Sequence, residues 1–136
     1  MALIRRVDEY RRKPWKNGGG ETREIALFPA GAGLDDFVWR VSIATVASDG
    51  PFSVFAGVDR TLCILDGAGI RLRIGDAPER ELGVTSPPCA FSGDDAANSQ
   101  LVGGPVLDFN VMTRRGRCRQ VVRRIDLSAG ERCTVA

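Results

Sequence analysis

Phe37-Val38-Trp39-Arg40-Val41-Ser42-Ile43-Ala44-Thr45-Val46 is the stretch on which the fold turns. Side chains of an extended chain alternate between two faces. Phe37, Trp39, Val41 and Ile43 therefore share one face, and Val38, Arg40, Ser42 and Ala44 share the other. β-branched and aromatic residues dominate, as a pleated, half-buried surface favours. Shorter segments of the same kind lie on both sides: Glu21 to Phe28 before it, then Phe52–Phe55, Thr61–Leu65, Ile70–Ile74, Cys89–Phe91, Gln100–Val102 and Val106–Met112. Turn formers separate them, among them Asp49-Gly50-Pro51, Ser86-Pro87-Pro88 and Gly103-Gly104-Pro105. Many short strands between Gly/Pro turns predict an all-β sandwich or barrel.

The remaining segments are read the same way. Asp66-Gly67-Ala68-Gly69, between two apolar runs, predicts a hairpin turn. Val7 to Lys13 predicts a short helical turn stopped by Pro14. Gln120 to Ile125 begins another strand-like segment, and the chain reaches Ala136 without a closing feature. A barrel left there has an open edge, which predicts further strands beyond Ala136.

With 136 residues the chain is one domain by length. Its net charge of +2 is no footprint for nucleic acid. The arginines of Arg114-Arg115-Gly116-Arg117-Cys118-Arg119 read as a solvated edge or a face that meets a partner. No apolar run approaches the ~20 residues of a membrane span, and Met1 to Arg6 lacks the apolar core of a signal peptide. The four cysteines, Cys63, Cys89, Cys118 and Cys133, form no C-x-x-C pair and read as free thiols. These features together predict a cytoplasmic protein that binds neither nucleic acid nor membrane.

The chain contains no histidine. That removes the usual general base near neutral pH and the commonest metal ligand. Asp59, Asp94 and Asp108 serve as bases only where burial raises their pKa. Cys63 or Cys89 as nucleophile lacks a histidine partner, and no serine lies in a G-x-S-x-G elbow. Neither metal nor cofactor is expected.

Gly18-Gly19-Gly20 lacks the lysine and hydroxyl that end a P-loop, and a strand follows it where a nucleotide fingerprint needs a helix. Two readings remain: a close approach of backbone to backbone, or a loop carrying Trp15, Lys16 and Asn17 over a pocket. Arg40 and Ser42 share one face of their strand. Asp108, Asn110, Met112 and Arg114 share one face of theirs. These faces either meet water or line the mouth of a barrel, where a few convergent polar groups define a ligand site. Arginines there favour a carboxylate, which the guanidinium fork binds through two parallel bonds.

Taken together, the chain resembles the HutD/Ves family of the cupin superfamily. The resemblance rests on Pro14-Trp15-Lys16-Asn17-Gly18-Gly19-Gly20-Glu21-Thr22-Arg23-Glu24, Phe37 to Ala44, Asp49-Gly50-Pro51-Phe52-Ser53, Gly57 to Leu62, Phe91-Ser92-Gly93-Asp94, and Gly104 to Gly116 with its Asp108-Phe109-Asn110-Val111-Met112-Thr113-Arg114 core. It implies a cupin-type (RmlC-like) antiparallel β-barrel or jelly roll over 1–136, with family chains running on for further strands. The first cupin motif ordinarily holds a metal with H-x-H and a glutamate. Counting back from Gly67, the comparable positions read Ser53, Phe55 and Arg60, so the resemblance implies a cavity for a small anion. Its HutD branch is associated with bacterial histidine-utilisation operons, which points to urocanate, N-formylglutamate or formate; its Ves branch is described as stress-induced.

The expected ligand site is Arg60 and Arg40 for charge, Ser42 and Asn110 for hydrogen bonds, and Trp15 and Trp39 as apolar walls. Lys16, Asn17, Ser53, Phe55, Asp59, Met112 and Arg114 stand around it. Alternation puts Trp39 opposite Arg40, so both line one cavity only across a bulge. Two further readings stand beside this one. The first is a metal-free isomerase or lyase acting on a small acid or sugar. The second is a homodimeric interaction module using the sheet edge or the basic segment.

Overall fold

The computed structural model describes residues 5–15 and 18–134. Among the described residues a 3-10 turn, Val7–Glu9, precedes ten strands. These are β1 (Arg11–Pro14), β2 (Gly20–Phe28), β3 (Trp39–Val46), β4 (Gly50–Phe52), β5 (Val58–Asp66), β6 (Ile70–Ile74), β7 (Arg80–Leu82), β8 (Cys89–Ser92), β9 (Ala97–Leu101) and β10 (Val106–Arg114). They form a six-stranded sheet in the order β1-β2-β3-β10-β5-β8 and a four-stranded sheet in the order β4-β9-β6-β7. Every described pairing is antiparallel. The all-β jelly-roll expectation holds.

The decisive strand alternates strictly. In β3, Arg40, Ser42, Ala44 and Val46 are buried, and Trp39, Val41, Ile43 and Thr45 are half-buried. The polar face thus points into the barrel. Val46, Leu62, Ile64, Ile70, Leu72, Leu82, Cys89, Ala97 and Val106 fill the interior between the sheets. A smaller cluster of Phe37, Val58 and Met112 lies apart from them.

Gly20 shows why the glycine run matters. A Cβ there would strike the Thr45 carbonyl oxygen and come within 2.9 Å of the Trp15 ring. Backbone approaches backbone, and only Gly fits. Gly93 does the same beside the Phe55 carbonyl, where a Cβ would come to 2.6 Å. Phe55 N–H donates to Gly93 O, so this contact seats the Phe55 segment.

Three local expectations are corrected, and one strand goes unannounced. The helical turn covers only Val7–Glu9; Arg11–Pro14 is an edge strand paired with Glu21–Glu24, and Pro14 ends it where a missing N–H costs least. Asp66–Gly69 does not close a hairpin, because β5 belongs to one sheet and β6 to the other. Gly67 and Gly69, at φ 102° and 104°, instead carry the chain between sheets. Arg80–Leu82 is a short strand with no apolar alternation to announce it. Gln120–Ile125 forms no strand; this segment crosses the outer face of the six-stranded sheet by side-chain bonds. Gln120 Nε2 donates to Asp59 O, Val111 O and Thr113 Oγ1, and Arg124 donates to Ile64 O.

Candidate ligand-binding site

Cross-strand register stacks the inward side chains of β3, β10 and β5 in rows. One row across all three strands is Arg40, Met112 and Arg60, followed by Ser42, Asn110 and Leu62, then Ala44, Asp108 and Ile64; Arg114 and Val58 lie beyond the first. Val46 and Val106 come next, inside the apolar core. The barrel interior is therefore graded from charged to apolar along its axis. The polar end borders a cavity of about 480 Å³.

Arg60 dominates this cavity. It is 4% exposed. Its Nη1 donates to Ser53 O at 3.0 Å and its Nη2 to Asn110 Oδ1 at 3.3 Å. The rings of Phe91, Phe55 and Phe52 surround the guanidinium at 5.1, 5.4 and 5.8 Å. Cation–π contacts of this kind soften the loss of water. Burial nevertheless lowers Arg60 to about 10, with Asp108 opposing the shift and Arg40 adding to it. The group stays charged at neutral pH. Its Nε has no partner. Among the described residues the ion pairs are Arg12–Glu21, Arg40–Glu24, Arg115–Asp59 and Arg115–Asp94, and none includes Arg60.

Arg40 differs. Its Nε meets Glu24 Oε2 at 3.1 Å, so its charge is already compensated. Asp108, 1% exposed, lies in the cavity wall two rows below Arg60. Burial pushes it up to about 7, against the pull of the Asn110 side chain, the Arg60 charge and the Ala44 amide. Its Oδ1 also lacks a partner. Trp15 closes one side, with Nε1 donating to Thr22 Oγ1 at 2.8 Å.

The cavity thus gathers Arg60, Arg40, Ser42, Asn110, Trp15, Ser53, Phe55 and Met112. Ser53 serves through its carbonyl, bonded to Arg60, where the motif comparison pointed to its hydroxyl. The three positions counted from the cupin motif do converge, on the Arg60 guanidinium. Three expected residues stand elsewhere. Trp39 lies on the outer face, stacked on Phe28 with centroids 6.2 Å apart, because β3 carries no bulge between Trp39 and Arg40. Asp59 also points outward and pairs with Arg115 at 2.9 Å. Arg114 follows the inward parity, but its guanidinium is spent on the carbonyls of Phe37, Ala56 and Asp35. Lys16 and Asn17 lie outside the described residues.

Glu24, Phe52 and Phe91 join the site although the sequence reading did not place them there. Asp108, which its alternation with Asn110 and Met112 puts on one face of β10, lies in the cavity wall as the barrel-mouth reading of that face expects.

An antiparallel double sheet with an arginine-lined cavity at one end defines a cupin-type barrel. A cupin domain of a transcriptional regulator from Enterobacter cloacae superposes with a TM-score of 0.53 at 18% identity, over 70% of this chain and 96% of that one, which bears on the fold alone. The chain belongs to the HutD family, whose model matches residues 7–136. It is 44% identical over 114 residues to an uncharacterized 21.2 kDa protein of the hutC 3′ region in Pseudomonas putida, covering 84% of this chain and 59% of that protein. It is 45% identical over 113 residues to the Ves protein of Cronobacter sakazakii, covering 82% and 60%. HutD from Pseudomonas fluorescens, solved in a formate condition, superposes with a TM-score of 0.74 at 43% identity over 81% of this chain and 59% of that one. The chain thus spans about three-fifths of the length of these relatives.

Proposed function

We propose that this chain binds a small carboxylate in the barrel cavity and acts as a non-catalytic regulator of histidine utilisation or of a stress response in the cytoplasm. One observation carries the reading: a buried guanidinium with no carboxylate partner among the described residues and an unsatisfied Nε, at the wall of a cavity. A buried charge is costly unless paired, and a carboxylate on Arg60 would supply the partner. The absence of histidine from the sequence supports an arginine-held rather than a metal-held ligand. The HutD structure in a formate condition favours formate, and the resemblance to the HutD branch suggests urocanate or N-formylglutamate beside it.

Thermal denaturation with each of these three at millimolar concentration tests the reading. Saturating ligand must stabilise the state it binds, by about 1.4 kcal/mol at ten times Kd. At least one should raise Tm; no shift from any of them removes the proposal.

A metal-free isomerase or lyase is the second reading, and the raised pKa of Asp108 is what favours it. It predicts turnover of a small acid that Asp108→Asn abolishes while the fold is kept. Turnover that survives this change rules out Asp108 as the base.

A further inference from the structure

Two buried polar atoms of the cavity lack a protein partner, and they are complementary: Arg60 Nε is a donor and Asp108 Oδ1 an acceptor. They stand on neighbouring strands, two rows apart, with no ion pair within 4 Å joining them. The charged and titratable groups around Asp108 can be named strand by strand. β5 brings Arg60 and, through its electrostatic coupling, Cys63. β3 brings Arg40, already neutralised by Glu24 of β2. β8 brings Cys89, and β1 brings Lys13 at the cavity wall. Burial raises Cys63 as well, so its thiol holds its proton at neutral pH.

The buried charges are therefore one uncompensated guanidinium and one carboxyl. With Asp108 ionised and no anion bound, the two balance at a distance. Placing a carboxylate on Arg60 leaves two negative charges facing one positive charge in a poorly solvated site. A proton taken from water onto Asp108 restores neutrality, and it turns an orphaned acceptor into an O–H that can donate to the ligand.

We propose that the cavity takes up a monovalent carboxylate together with one proton, and that Asp108 is the residue that receives the proton. This rests on the carboxylate reading above and adds selectivity to it. A monoanion plus a proton leaves the cavity neutral, whereas a second negative charge buried in it would remain unpaired. Burial holds Asp108 near 7, so the proton is exchangeable under ordinary conditions.

Formate is a suitable probe, because an ordinary carboxylate of pKa ~4 stays ionised across the pH range of interest. Its Kd, read from tryptophan fluorescence with Trp15 at the cavity wall, should be nearly constant below pH 6. Between pH 7 and 9 it should weaken by about tenfold per unit, since linkage of one proton is reciprocal. Asp108→Asn should flatten this dependence, and Asp59→Asn should preserve it. A carbon-13 titration of the wild-type Asp108 carboxyl needs no variant, and its midpoint should rise when formate is added. A Kd that does not change with pH, or an Asp108 midpoint that formate leaves in place, overturns the coupling alone. Where formate does not bind, the same titration is made with urocanate, and no binding of either at any pH, with no Tm shift from N-formylglutamate, overturns the carboxylate reading and the coupling with it.

Discussion

The two ends of the barrel interior share strands β3 and β10 and do opposite things. At one end Val46 of β3 and Val106 of β10 lie in the apolar core with Leu72 of β6, which is wholly buried. At the other end the same alternation delivers Arg40, Arg60, Asn110, Ser42 and Asp108 to positions equally shielded from water. Packing at the first end is self-sufficient. The second end carries two unsatisfied buried atoms and an unpaired guanidinium. Such features cost stability and persist where a site requires them. The difference teaches that the apolar end holds the fold, and the charged end is where we propose that the ligand binds.

Leu72→Ala is the sharpest way to break that division. It should cost about 2–5 kcal/mol in denaturant unfolding, the range for truncating a large core side chain. The ligand response of the protein that remains folded should persist. A cost below about 1 kcal/mol would show that the apolar end does not carry the fold.

The pH dependence of stability separates the ends next. The Asp108 carboxyl is raised in the folded protein to about 7, so the folded state holds a proton that the unfolded chain releases near 4. Stability from this group is full below the unfolded value and is lost as pH rises towards 7. At about 1.4 kcal/mol per unit, the loss amounts to roughly 2–4 kcal/mol between pH 4 and 8. Asp108→Asn should remove it, which appears as a wild-type-minus-variant difference that grows as pH falls. An unchanged profile would place the Asp108 titration near its ordinary value.

Arg60→Met tests whether the charge is there for stability. Replacing an uncompensated buried ion by an apolar side chain of similar reach should be neutral or stabilising, by up to about 2 kcal/mol without ligand. A large loss would mean that Arg60 is a structural centre for the phenyl rings around it. The smallest effect is expected outside the barrel. Asp59 and Arg115 are both about half exposed, at 51% and 48% for their side chains. Asp59→Asn should shift stability by less than about 1 kcal/mol and leave ligand binding unchanged.

Much of this was legible in the sequence because alternation is a strong signal. Phe37 to Val46 announced its two faces, and Val106 to Arg114 announced Asp108, Asn110 and Met112 on one side. The resemblance to the cupin motif, counted back from Gly67, pointed to Ser53, Phe55 and Arg60, which meet in the cavity. What alternation does not reveal is which face turns inward. Trp39 is large and apolar, yet its face of β3 is the outer one, where it meets Phe28. Asp59 sits one residue from Arg60, and that one step turns it to the outer surface. Partner choice was equally hidden. Arg40, Arg60 and Arg114 look alike as letters, and only the fold pairs the first with Glu24, leaves the second without a carboxylate partner among the described residues and ties the third to three carbonyls. Glu24 reaches Arg40 beside the register shift between Glu24 and Ala26, an irregularity that the strand pattern does not display.

The most direct measurement is the rise in Tm that millimolar urocanate produces in the wild-type protein and in Arg60→Met. The account predicts a clear rise in the wild type and none in the variant, whose ligand-free Tm is equal or higher. An equal rise in both would contradict it, because the ligand would then be held without the Arg60 guanidinium.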